Sequence, residues 1–461
     1  MQPTAKFNPG AALFLVFALV LLAEFRCRSA LADESAIPTN QDGRDSRLAW
    51  WRAARFGMFI HWGPISVKGT EISWSRAGPR QGCPSKSPGT VPVEEYDNLY
   101  KQFNPTKFDA ESWVKIAELA GMKYMVLTTK HCDGFCLWDS QASDYNILHT
   151  PFGRDVCAEL AQAAHRSGMH IGWYYSPMDW RDPDCRTERN AKYVSSMQRQ
   201  LGELLGNYGP IDLLWFDFDS GPVPWDQPET YALIRRLQPK IVVNNRLDLA
   251  NYQEYQENKI GPNADYYTPE QKVGTFDDQH PWETCMTLGT QWSWKPDDRI
   301  KTVNECVRIL VRCAAGDGNL LLNVGPMPSG EIEPRQVEVL NGIGQWLRKF
   351  GQCIYGTRGG PLKPLGEVYS TRHGNKVYVH VLKWTGDNVA IPTLPHKIVA
   401  RKALTGGEVI IEQTGSQWVL HLAKSDQSDI DTVIELQLDG SAEEIPTMNF
   451  PNTTSPLDGA Q

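Results

Sequence analysis

Phe56-Gly57-Met58-Phe59-Ile60-His61-Trp62-Gly63-Pro64 is a short apolar run that ends on an imidazole, an indole and a Gly-Pro turn. An open doubly wound sheet binds its ligand through a glycine-rich turn after the first strand, and no such turn follows here. Lys123 to His131, His170 to Ser176, Ile211 to Phe218, Ile241 to Asn245 and Asn319 to Gly325 are further β-rich runs, with less regular candidates at Asp265 to Glu270 and Trp282 to Leu288. Between them apolar residues recur at the helical period. Trp113, Ile116, Ala117 and Ala120 share one face, as do Val194, Met197, Leu201, Leu204 and Leu205, and later Val303, Val307, Leu310 and Val311. Strand followed by helix, repeated for eight strand candidates, predicts a (β/α)8-like barrel over residues 33–355.

After Gly360 the helical periodicity stops. Glu367 to Ser370, Lys376 to Leu382, Gly407 to Gln413, Trp418 to Leu422 and Asp431 to Leu438 read as short strands between Gly, Asp and Pro turns, so a small β-sandwich is expected over 361–445. Residues 446–461 are rich in Pro, Thr, Ser and Gly and read as a loose tail, with a glycosylation acceptor pattern at Asn452-Thr453-Thr454.

The chain has 461 residues, 41% hydrophobic and 22% charged, which suits a large core and excludes a disordered or disulfide-knotted chain. A net charge of -8 with no long basic run argues against nucleic acid as a partner. The apolar run Ala11 to Ala23 is too short for a ~30 Å bilayer core. With Lys6 before it and Ala30-Leu31-Ala32 behind, it reads as a signal peptide over 1–32, with an uncleaved anchor as the alternative, so a secreted or periplasmic protein with no further membrane attachment is expected. Cys27 would leave with that peptide; the other nine Cys are scattered at spacings that fit neither a zinc ribbon nor a redox pair. Cys132 and Cys136 lack a second ligand pair and read as structural thiols. Sixteen Trp, sixteen Tyr and fifteen Phe supply aromatic faces that suit the C–H surface of a sugar, or simply a core.

In a barrel the C-terminal strand ends form one rim, and the residues there are chemical. They are His61, Lys130-His131-Cys132-Asp133, Tyr174-Tyr175 and Trp215-Phe216-Asp217-Phe218-Asp219, with Arg246, Glu270 and Glu283 from later strands. Alternation turns Leu213, Trp215 and Asp217 inward and Leu214, Phe216 and Phe218 toward the helices. Asp217 then faces a pocket beside a Trp wall and needs a donor such as Arg246 or a histidine, whereas Asp219 reads as a loop or capping residue. Two carboxyl groups facing each other are the equipment for glycoside hydrolysis. His61, His131, Asp133 and Asp217 are the rival metal reading; each imidazole is single on its strand, whereas metal-binding barrels commonly pair ligands on one, so no metal is expected.

Six longer strings carry a resemblance. Arg55-Phe-Gly-Met-Phe-Ile-His-Trp-Gly63, Leu127-Thr-Thr-Lys-His-Cys-Asp-Gly-Phe-Cys-Leu-Trp-Asp139, Gly172-Trp-Tyr-Tyr-Ser176, Leu214-Trp-Phe-Asp217, Val243-Asn-Asn-Arg246 and Trp282-Glu-Thr-Cys-Met-Thr287 resemble glycoside hydrolase family 29, the α-L-fucosidases, over roughly Ser46 to Tyr355. The resemblance implies an exported, retaining exo-α-L-fucosidase acting on fucosylated oligosaccharides or glycans, with no metal or organic cofactor. It implies Asp217 as nucleophile and Glu270, in Thr-Pro-Glu-Gln, as acid/base, with Glu283 the alternative. His61, Glu71, His131, Tyr175, Trp215 and Arg246 are similar to residues that hold the fucose hydroxyls or the nucleophile; a one-residue register error would exchange Tyr175 for Tyr174. Trp292 is similar to an aromatic that packs on the fucose methyl group. One departure stands out: Lys130-His131-Cys132-Asp133 replaces the Lys-His-His-Asp of many members, so a weak thiol donor stands where an imidazole would. A glycosidase of another specificity and a non-catalytic sugar-binding relative are the alternatives, and retention of Asp217 with both glutamates favours an enzyme.

Overall fold

The apolar runs become strands wherever both of their faces are covered. β1 (Phe56–Ile60), β2 (Tyr124–Lys130), β3 (His170–Tyr175), β4 (Leu213–Phe216), β5 (Val242–Val243), β6 (Glu283–Thr287) and β7 (Asn319–Val324) form one parallel sheet in the order β5-β4-β3-β2-β1-β7-β6. The computed structural model describes residues 41–80, 89–217 and 224–449. Between the edge strands β5 and β6 runs the segment 265–270, joined to them by isolated parallel bridges from Asn244 to Tyr266, Tyr267 to Trp282 and Glu270 to Cys285. The expected strand from Asp265 to Glu270 is therefore a bridge and not a ladder. Pro269 within it has no N–H to give, which is one reason the pairing breaks up there. Seven regular strands and this irregular eighth member complete the barrel.

Helices α1 (Gln41–Ala54), α2 (Ala110–Ala120), α3 (Val156–Ser167), α4 (Asn190–Gly206), α5 (Gln227–Leu237), α6 (Tyr252–Gln256), α7 (Val303–Ala315) and α8 (Pro334–Phe350) are interleaved with the strands. The starts of α2, α3 and α7 are written in short polar side chains. Asp109 accepts from the N–H groups of Glu111 and Ser112, Asp155 from that of Ala158, and Thr302 and Glu305 cap α7 reciprocally. Gly121 and Gly168 end α2 and α3 in the left-handed conformation that a side chain would resist.

Alternation sorts the strand residues into two layers. Phe59, Tyr124, Val126, Tyr174, Leu213, Trp215, Val242, Cys285 and Leu321 pack inside the barrel, while Met58, Leu127, Trp173, Tyr175, Leu214, Phe216 and Leu322 pack toward the helices. Leu48, Trp51 and Ala54 of α1 join the interior cluster, and Trp51 reaches Glu283 at the start of β6. The N-terminal end of the barrel is thus plugged, with Leu48 and Trp51 contributing about 1.5–3 kcal/mol each when fully buried and a few polar groups such as Glu283 and Asn319 sealed in with them, and the open rim lies at the opposite end.

Beyond the barrel lie β8 (Arg358–Gly359), β9 (Val368–His373), β10 (Lys376–Val381), β11 (Asn388–Pro392), β12 (Ile398–Ala403), β13 (Ile410–Thr414), β14 (Gln417–His421) and β15 (Thr432–Leu438). They form a five-stranded antiparallel sheet, β12-β15-β10-β9-β8, and a three-stranded one, β11-β14-β13. Val377, Val379, Ile391, Leu420, Ile434 and Leu436 share one buried cluster contributed by both sheets. β11 and β12 went unread in the sequence because much of each is exposed and carries little apolar alternation. Arg312 of α7 donates to the Glu367 carboxylate at 2.8 Å, and Arg308 donates to the carbonyls of Asp429 and Ile430. Residues 45–461 make up one compact unit; of the other, residues 1–44, only the first positions of α1 are described.

Among the described residues no helix is long and apolar enough to cross a membrane. The signal segment with Cys27, Cys83, Phe218, Asp219 and the acceptor at Asn452 lie outside the described residues.

Candidate active site

Trp215 of β4 pairs with Tyr174 of β3, and partners in a parallel ladder face the same way. Their rings lie 5.6 Å apart at 17°, and the Tyr174 hydroxyl donates to Asp217 Oδ2 at 2.8 Å. Burial and then the Asp217 charge push the Tyr174 pKa well above its usual value, so the phenol remains a donor. Tyr175 points the other way, its hydroxyl donating to Gln200 Oε1 of α4 at 2.6 Å beneath the Lys130 ammonium. Of the two tyrosines, then, Tyr174 belongs to the pocket and Tyr175 to the outer layer. The reading that put Tyr175 on the fucose was one position out of register, for the reason alternation supplies.

Arg246, just after β5, organises the rim. Its Nη1 donates to Asp217 Oδ1 at 2.6 Å, its Nη2 to Glu270 Oε2 at 2.8 Å and its Nε to Thr268 Oγ1 at 3.0 Å. The rings of Trp215 and Tyr255 lie 4.5 and 4.9 Å from the centre of its guanidinium. Burial alone would lower the Arg246 pKa; the Glu270 and Asp217 carboxylates outweigh it and hold the pKa well above the ordinary value. One permanent cation therefore holds two carboxylates side by side, each on its own nitrogen of a rigid planar fork. The Asp217 side chain is 16% exposed and that of Glu270 34%, so both stay open to a ligand.

Neutral imidazoles complete the wall. Asn323 Nδ2 donates to the Trp292 carbonyl at 2.7 Å, which leaves Asn323 Oδ1 to face His61 Nδ1 at 2.6 Å. An oxygen that only accepts puts the proton on Nδ1, so His61 Nε2 keeps a lone pair for a hydroxyl. Burial, reinforced by the neighbouring His131, holds the His61 pKa well below its usual value. His131 is also lowered by burial, against the pull of Asp133 and Asp217. Its Nδ1 lies 2.6 Å from Ser73 Oγ, and its ring stacks on Tyr174 at 5.4 Å. Trp292 lies 4.7 Å from the His61 ring. Glu71 spends both oxygens on backbone N–H groups, those of Ile72, Trp292 and Ser293 at 3.0, 2.9 and 3.2 Å, so its visible work is to fix the loop that carries Trp292. Burial raises its pKa despite these donors.

Glu283 lies elsewhere. It is the first residue of β6, two positions before the Cys285 that bridges to Glu270, and its carboxylate accepts from Trp51 Nε1 at 3.3 Å and from the Tyr124 hydroxyl. With no exposed surface at the plugged end, it is out of reach of a substrate at the rim. Only Glu270 is brought to Asp217. Cys132 is buried with its Sγ 3.3 Å from Ser176 Oγ, and the eight described cysteines are all buried thiols. Among the described residues no group of His, Cys, Asp and Glu is arranged to hold a metal ion.

Sequence reasoning missed Asn323, Ser73, Thr268 and Tyr255. Asn323 carried a signal, being the lone polar residue of the Leu320-Leu321-Leu322-Asn323-Val324 run near its C-terminal end. Ser73, Thr268 and Tyr255 lie outside the regular strands and carried none.

Two carboxylates on one guanidinium at the rim of a (β/α)8-like barrel are an arrangement suited to splitting an acetal, and the class this fold and site define is that of the barrel glycoside hydrolases. The family model for alpha-L-fucosidase matches residues 25–352, and the chain belongs to that family. It is 29% identical to the tissue alpha-L-fucosidase of Macaca fascicularis, over 84% of this chain and 87% of that one. Among solved structures, alpha-L-fucosidase isoenzyme 1 from Paenibacillus thiaminolyticus is 36% identical with a TM-score of 0.76, covering 86% of this chain and 99% of that one. A family 29 alpha-L-fucosidase from Bacteroides thetaiotaomicron, solved as a trapped covalent intermediate with 2-fluoro-fucosyl fluoride, is 27% identical with a TM-score of 0.74, covering 86% and 96%.

Proposed function

We propose that the protein is an exported, retaining exo-α-L-fucosidase that releases terminal fucose from oligosaccharides or glycans. One observation carries the reading: a single guanidinium holds Asp217 and Glu270 on its two terminal nitrogens. In the first step an Asp217 oxygen bonds the anomeric carbon as the bond to the leaving oxygen breaks, and Glu270, which enters the step as the carboxylic acid and leaves it as the carboxylate on Arg246, gives that oxygen its proton. In the second, Glu270 takes a proton from water, the water oxygen bonds the anomeric carbon, and Asp217 departs as carboxylate. Tyr174 and Arg246 occupy different oxygens of Asp217, which fixes its plane before attack. Neutral His61 accepts from a fucose hydroxyl, His131 and Trp215 line the same wall, and Trp292 takes the methyl group. No cofactor enters this chemistry. The covalent intermediate trapped on the Bacteroides relative supports a double displacement. Export rests on the apolar run before Ala32.

The test is hydrolysis of 4-nitrophenyl α-L-fucoside followed by proton NMR, against a panel of other 4-nitrophenyl glycosides. Fucose released first as the α anomer is expected. First release of the β anomer, or cleavage of another glycoside in place of the fucoside, would overturn the reading.

A further inference from the structure

Tyr252 and Tyr255 stand on α6, the short helix that follows Arg246. The Tyr255 ring lies 4.9 Å from the Arg246 guanidinium, the group that holds Asp217 and Glu270. Tyr252 lies 5.6 Å from Tyr255 with the rings inclined at 30°, and it is 63% exposed. A single exposed aromatic is ordinary. Here the rings continue outward, without a break, from the cation that binds the acid/base. The segment is also held firmly: Asn251 accepts from the Glu254 N–H, Glu254 accepts from the Ala250 N–H, and Asn245, beside Arg246, donates to the Lys259 carbonyl at 2.7 Å.

An acid that protonates a leaving oxygen must stand on the leaving-group side of the scissile bond. With Glu270 in that role, the aromatic surface beside it lies where the sugar bearing the fucose would rest. We propose that Tyr252 and Tyr255 form the leaving-group subsite, taking a neutral pyranose through its C–H face. The inference depends on the assignment of Glu270 above. The rings carry no charge, the Arg246 guanidinium beneath them is already engaged by the two carboxylates, and Lys259 nearby is paired with Glu254 and Glu257, so a neutral sugar fits better than an anionic one. The same surface would receive an acceptor sugar when the fucosyl-enzyme transfers to a hydroxyl instead of to water.

The experiment compares two substrates in Tyr252→Ala and Tyr252→Trp. One is the fucosyl-galactose or fucosyl-N-acetylglucosamine disaccharide that the wild type cleaves best; the other is α-L-fucosyl fluoride, which has no leaving sugar. Tyr252→Ala should lose about 3- to 10-fold more kcat/KM on the disaccharide than on the fluoride, while Tyr252→Trp keeps the wild-type ratio. The fraction of fucosyl-enzyme captured by added galactoside should fall in the Ala variant as well. An unchanged ratio in Tyr252→Ala, with turnover of the fluoride intact, overturns the subsite alone. A wild type that does not turn over the fluoride overturns the fucosidase reading on which the subsite rests.

Discussion

Replacing Glu283 by glutamine should flatten the pH dependence of stability. The carboxyl has no exposed surface and accepts from Trp51 Nε1 and the Tyr124 hydroxyl, with Trp215 and Tyr266 also turned toward it. Burial therefore wins over the donors and raises its pKa from 4.5 to about 7. The folded chain keeps this proton over a range in which the unfolded chain has lost it. The corresponding stability is fully present below 4.5, declines as pH rises, and is gone above about 7. At roughly 1.4 kcal/mol per unit, the window is worth ~3 kcal/mol. Glu283→Gln preserves the shape and cannot titrate. In denaturant unfolding at pH 5 and pH 8, the wild type should lose about 2–3 kcal/mol more than the variant between the two conditions, other groups cancelling in the difference. Parallel pH dependences for the two proteins would refute the buried proton.

Three further outcomes are expected. Tyr174→Phe removes a donor from Asp217 and should lower kcat about 10-fold or more, whereas Tyr175→Phe, which loses its hydroxyl contacts with Gln200 and Lys130 in the outer layer, should cost about 1–2 kcal/mol in unfolding and keep kcat/KM within about 2-fold. Equal kinetic losses in the two would contradict the register. Glu270→Ala should slow hydrolysis of poor leaving groups by roughly 10²–10⁴-fold and yield fucosyl azide when azide is added, because a small anion reaches the glycosyl-enzyme without a base. The same rescue in Glu283→Ala and not in Glu270→Ala would exchange their roles. Exhaustive chelation should leave turnover unchanged; loss in EDTA restored by one divalent ion would transfer the chemistry to a metal.

The barrel was legible because its strands are buried on both faces and its helices keep the 3.6 period, so that Leu213, Trp215 and Asp217 could be oriented before any coordinate. The segment 265–270 was read as a strand on composition, and its pairing proved to be a matter of tertiary position. Tyr174 was within reach: the alternation applied to β4 gives the same answer on β3 once Tyr174 is paired with Trp215. The separation of Glu270 from Glu283 was not, since it depends on where a loop crosses β6 and on α1 filling the floor. Nor could spacing reveal that Glu71 works through the backbone of a loop more than 200 positions away.

The central claim is that Asp217 carries the sugar. Incubation with 2-deoxy-2-fluoro-α-L-fucosyl fluoride slows both steps but spares the first relative to the second, so the glycosyl-enzyme accumulates and can be digested for peptide mass spectrometry. The account predicts one 2-fluoro-fucosyl group per chain, esterified to Asp217 and absent from Asp217→Ala. A label on Glu270, on any other side chain, or on none while the reagent is consumed, would contradict it.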